Sequence, residues 1–65
     1  MPGLNTEEKK HLVSGLRKHV EYRYVNRQDY REFMDHLIDT YEKAGLDNLD
    51  PMDREAFLDL VGEVL

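Results

Sequence analysis

The sequence predicts an all-α protein, a small three-helix bundle with helices over roughly residues 6–23, 27–44 and 51–65 in a single domain, 1–65. Three observations lead there. Apolar residues recur at helical spacing in three separate segments. Start and stop signals bound those segments, and the connections between them are short, with no repeats, low-complexity tracts or linkers.

The middle helix has the clearest pattern. Tyr30, Phe33, Met34, Leu37, Ile38 and Tyr41 form one apolar stripe. Asn26 is the expected N-cap, with Asp29 resembling the acidic arm of a capping box and Val25 and Tyr30 placed for a hydrophobic staple. The segment closes with Lys43 near the negative end of the dipole, Gly45 for a left-handed turn, and Leu46 to fold back. Arg31–Asp35 and Asp39–Lys43 are spaced for i,i+4 ion pairs on its outer side.

The first helix should begin at Asn5 or Thr6, with Glu7 and Glu8 in its first turn. Leu12, Leu16, Val20 and Tyr24 follow one another every four residues, with Val13 alongside. Gly15 lies mid-helix, where glycine costs about 1 kcal/mol relative to alanine. It marks a kink, is simply tolerated, or lets another surface come close.

The last helix opens with Asp50 as cap, Pro51 at the first helical position and Asp53 near the positive dipole end. Its apolar set is Met52, Ala56, Phe57, Leu58, Leu60, Val61, Val64 and Leu65. At 100° per residue these span an arc of roughly 200°, about twice what facing a core requires. Such a helix is central in its bundle or covered from two directions. Leu65 has no cap after it, so the last turn should fray unless something docks there.

Size and charge bound the function. A chain of 65 residues without cysteine has neither disulfide nor thiolate-bound metal to support it. Idealised helix packing or a partner must supply the stability. The absence of cysteine, of an apolar leader in "MPGLNTEEKK" and of a long apolar run points to a soluble, cytoplasmic chain with no membrane association. The net charge of −5 is unevenly spread. Residues 1–31 hold seven Lys/Arg against four acids, and residues 32–65 hold two against ten. The plain account is a basic first helix pairing with acidic neighbours; the sharper one is two opposed surfaces that draw partners or a second copy.

Chemistry is sparsely signalled. No cysteine nucleophile and no glycine-rich phosphate loop are present, and Ser14 is the only serine. The carboxylates fall at caps and solvent-facing positions. The chain is therefore read as a non-enzyme with no cofactor. Glu32, His36 and Asp39 share an edge, but a zinc site needs three fixed ligands and their supporting partners, so His36 reads as solvated. His11 and His19 are too far apart to share an ion. Asp47, Asn48, Asp50 and Asp53 mimic a calcium loop, yet Leu49 and Pro51 occupy positions that need oxygen ligands. No metal is expected.

The four tyrosines lie between residues 22 and 41. Tyr24, Tyr30 and Tyr41 fit the rim of a small core, ring buried and hydroxyl wet. Tyr22 does not. It falls with His11, Gly15 and Lys18 on the side of the first helix away from the core, where it either lies over the Lys18 stem or serves as a binding hot spot. A second candidate surface is the surplus apolar edge of the last helix: Phe57, Leu58, Val61 and Leu65.

These readings converge on a protein–protein interaction module, an adaptor, inhibitor or regulatory subunit that docks helices with another protein or with itself. The alternative is a small nucleic-acid-associated regulator. It would contact phosphates through Lys10, Arg17, Lys18, Arg23 and Arg27 of the basic first helix, with Tyr22 stacking a base. Against it, the acidic last helix would be repelled by a duplex if used as a recognition helix.

Overall fold

The computed structural model describes residues 5–65. Residues 1–4, which belong to the expected domain 1–65 and to the segment examined for a leader, lie outside the described residues. Three helices follow one another: α1, Thr6–Arg23; α2, Gln28–Ala44; and α3, Pro51–Val64, the last preceded by a single 3-10 turn at Leu46–Asn48. The protein is an all-α three-helix bundle, and no strand occurs among the described residues.

α1 begins with a reciprocal cap. The Glu8 amide donates to Asn5 Oδ1 at 2.8 Å, and the Asn5 amide donates to Glu8 Oε1 at 3.1 Å. Two N–H groups that the first turn would leave unpaired are thereby satisfied.

α2 starts one residue later than the sequence pattern suggests, and its entry is built differently. Arg27 is the N-cap and makes no side-chain capping bond. Asn26 instead sits in the turn that Arg27 N–H closes onto the Tyr24 carbonyl at 2.9 Å. The expected Val25–Tyr30 staple is replaced by an edge-on contact of the Tyr24 and Tyr30 rings, centroids 4.6 Å apart. The reason is direction: Tyr24 continues the buried stripe of α1, whereas Val25 is exposed. Arg31 donates to the Val25 carbonyl at 3.1 Å, and Asp39 is bonded by Arg17 of α1. These cross-contacts take the place of the i,i+4 pairs Arg31–Asp35 and Asp39–Lys43.

α2 stops at Gly45, whose φ of 88° and ψ of 171° are open to glycine but strained for other residues. This is a positive-φ exit, though not the left-handed helical turn that the sequence suggests. The side-chain Nδ2 of Asn48 donates to the Ala44 carbonyl at 2.6 Å, so one of the carbonyls left free at the helix end is satisfied. α3 has Pro51 at its first position as expected. Asp50 is the cap residue, but its side chain makes no capping bond. The helix ends at Val64, one residue short of the expected limit.

Contacts along α1 and α2 show that the pair is antiparallel: Tyr24 meets Tyr30 at one end, Arg17 meets Asp39 midway, and Lys9 lies over Tyr41 at the other. α3 covers the seam. Phe57 packs on Tyr41 with ring centroids 4.8 Å apart, and the end of α3 crosses α1 near Gly15 and His19. The core is Val13, Leu16 and Val20 from α1, Met34, Leu37 and Ile38 from α2, Phe57 and Leu60 from α3, and Leu49 from the connection. It buries no polar side chain among the described residues. Tyr24, Tyr30 and Tyr41 are half-buried around it, the rim position that the spacing predicts.

Candidate functional site

Fixed charge comes first, because it decides which cations remain free. Arg17 reaches across to α2 and donates to Asp39 at 2.7 Å and Glu42 at 2.9 Å. That hydrogen bond holds the Asp39 carboxyl below the usual carboxylate range, and the same contact raises the Arg17 guanidinium further above its ordinary value. Arg23 stands over the Tyr24 ring and Arg27 over the Tyr30 ring, each 5.6 Å from the centroid. Three of the five cations considered for phosphate binding are thus engaged within the fold. Burial, and then the nearby Glu63 charge, push the Tyr24 phenol above its ordinary value. His19 Nε2 and Glu63 Oε1 share a 2.8 Å hydrogen bond that ties α1 to the end of α3.

Three solvent-open hollows on the surface of the described residues bear on binding. One is lined by Arg17, Glu21, Val25, Arg31 and Asp35, and a second by Lys18, Glu21, Tyr22 and Val25. They meet along Glu21 and Val25, so they form one patch at the end of α1 and the turn after it. At its centre Tyr22 is 85% exposed and Val25 is 59% exposed. The third hollow is a trough between α1 and α3, about 360 Å³, lined by Glu8, His11, Leu12, Val64 and Leu65.

The two surfaces expected from sequence are not separate. His11, from the α1 set, and Leu65, from the α3 set, line the same trough. Between them, a Cβ built on Gly15 would stand 3.7 Å from Val64 Cγ1. Gly15 therefore does lie at a close approach, and the surface that approaches is the chain's own α3. Lys18 and Tyr22 share the next hollow along the same stripe of α1.

The α3 edge loses its aromatic member. Phe57 is 1% exposed, a principal core side chain, and is not available at the surface. Phe57 would lie on the surplus edge only if α3 turned Ala56, Leu60 and Val64 to the core. The crossing of α3 rotates Phe57 onto Tyr41 instead and leaves Ala56 and Val64 at the flanks. Val61 is half-buried against the core, while Leu58 is 49% and Leu65 89% exposed. The staple spacing hides Val25 as a surface residue; its neighbour Tyr24 already completes the α1 stripe, which is the signal that Val25 points elsewhere. Among the described residues no group of three or more His, Asp or Glu side chains is placed to hold a metal ion, and no helix is long and apolar enough to cross a membrane.

No family model matches this chain, and neither the curated proteins nor the solved structures contain a match to it.

Proposed function

We propose that this chain is a protein–protein interaction module that docks through the outer face of α1 together with the end of α3. The observation that carries the reading is Tyr22: an aromatic side chain 85% exposed, sharing a hollow with exposed Val25, Lys18 and Glu21. Tyrosine and arginine are enriched at the energetic centres of interfaces. A large apolar ring framed by long charged side chains gives an anchor with a polar rim. Leu65 and the trough beside His11 extend the same face with apolar surface. The engagement of Arg17, Arg23 and Arg27 with carboxylates and rings supports a protein partner over a phosphate backbone.

A photoreactive side chain at position 22, activated in the native host, tests the reading. The expected product is a covalent adduct with a protein, suppressed by Val25→Asp. Recovery of nucleic acid alone, or of nothing above the level seen with the probe at exposed Glu32 on α2, refutes it.

A further inference from the structure

We infer that the outer face of α3 is a second docking surface, separate from the Tyr22 patch, and that its occupant is a basic amphipathic helix of another protein.

The whole net charge of the chain lies on α3 and the turn before it. Residues 1–46 hold eight Lys/Arg and eight acids, whereas residues 47–65 hold Arg54 alone against six acids, a net of −5. Arg54 is engaged elsewhere, its Nη2 donating to the Leu49 carbonyl at 3.3 Å. The fold accounts for some of the acids. Asp50 and Asp53 stand at the start of α3, where the dipole favours them, and Glu63 shares its hydrogen bond with His19. Glu55 and Asp59 have no such account. They lie past the first turn, four residues apart and exposed, and neither makes an ion pair or side-chain hydrogen bond with a described residue. Like charges at that spacing weaken a helix. Glu63 extends the row by another four residues, at the end where the dipole disfavours an acid and where no basic residue stands in the last turn.

Apolar side chains are set into the same face. At 100° per residue, Glu55, Leu58, Asp59 and Gly62 fall within an arc of about 100°. All four are exposed, on the side of α3 away from buried Phe57 and Leu60. Met52, one turn before Glu55, is 82% exposed, and Leu58 is 49% exposed. A Cβ built on Gly62 would meet nothing within 4 Å, so a second helix can lie close to the α3 backbone there.

Charge selects the occupant. These carboxylates repel a nucleic-acid backbone and an anionic membrane, and a second copy would bring the same surplus of acid. A polyamine matches the charge but leaves Leu58 and Met52 uncovered. A helix with Lys or Arg at i,i+4 matches the Glu55–Asp59 spacing of about 6 Å. Apolar side chains beside those cations then cover Leu58 and Met52. The charges set orientation and on-rate, and the apolar contact slows release.

An NMR titration of the full chain with an amphipathic helical peptide of lysine, leucine and alanine tests this. Saturable shifts are expected along the exposed face of residues 52–62, with affinity falling as salt rises. Leu58→Ser, and Glu55→Gln with Asp59→Gln, should each weaken binding by about fivefold or more. The double variant should melt no lower than the wild type, because it removes a like-charge pair from α3. A lowered melt would make the two acids part of the fold and overturn the inference. So would the absence of saturable binding, shifts centred away from α3, or equal binding of a scrambled peptide or of spermine. Tyr22→Ala should leave the peptide affinity as it is; a loss would move the peptide to the α1 patch and overturn the assignment to α3. The position-22 crosslink reports on the first surface alone, so either surface can fail without the other.

Discussion

Replacing Gly15 by alanine should stabilise the fold, and the amount follows from its surroundings. Gly15 lies inside α1, and Gly45 is the only described residue with a positive φ, so alanine meets no backbone obstacle. The added methyl would stand 3.7 Å from Val64 Cγ1, an ordinary van der Waals contact, with no other side chain or neighbouring backbone closer. Removing an interior helix glycine contributes about 0.8–1.0 kcal/mol. The half-buried methyl adds part of the ~0.8 kcal/mol that a fully buried carbon brings. Together these come to about 1–1.5 kcal/mol, which for a domain this small corresponds to a rise in Tm of about 4–12 °C. Far-UV circular dichroism on dilute protein reads the melt, and a urea series should show a later midpoint with an unchanged slope. Gly62→Ala is the internal control. Nothing lies within 4 Å of its added methyl, so it gains the helix term alone. A neutral or lowered Tm for Gly15→Ala, beside a raised one for Gly62→Ala, would show that α3 presses closer to α1 than the Val64 contact implies.

Phe57→Ala should leave the chain largely unfolded at 25 °C. Emptying an aromatic core site costs about 3–5 kcal/mol, as much as the whole stability of a domain this size, whereas Leu58→Ala one residue on should cost less than about 1 kcal/mol. Similar melting curves for the two variants would place Phe57 outside the core. At acid pH, Asp39 should govern part of the loss of stability. Arg17 holds its folded-state pKa below the unfolded value, so its contribution is complete above about pH 4 and disappears as pH falls through the lower folded value. Urea midpoints measured below pH 4 should therefore fall more steeply for the wild type than for Asp39→Asn, and parallel curves would deny the contact. The Tyr24 phenol runs the other way: raised by burial, it contributes below about pH 10 and loses that contribution as pH rises through its folded value. Tyr24→Phe should flatten the alkaline limb.

Local signals and tertiary placement divide cleanly in this molecule. The sequence by itself determined three helices, their lengths to within a residue at either end, and most of the core. Periodicity, the Asp50–Pro51 start and Gly45 depend only on chemistry within a few residues. The same local logic put Tyr24, Tyr30 and Tyr41 at the rim, because each falls at the end of an apolar stripe. It also isolated Tyr22 on the outer side of α1. It went astray wherever two elements compete for one side chain. Asp39 had a local lysine at the right spacing, yet the arginine of α1 reaches across and bonds it at 2.7 Å. Val25 had a staple partner in Tyr30, but Tyr24 reached that ring first. α3 is the strongest case. Its apolar arc exceeds what a core can cover, so periodicity alone cannot say which edge turns inward. Only the angle at which α3 crosses α1 decides that Phe57 is buried, that Leu65 stays exposed, and that Leu65 meets His11 across one trough. That crossing angle is a property of three packed surfaces at once, and no window of neighbouring residues contains it.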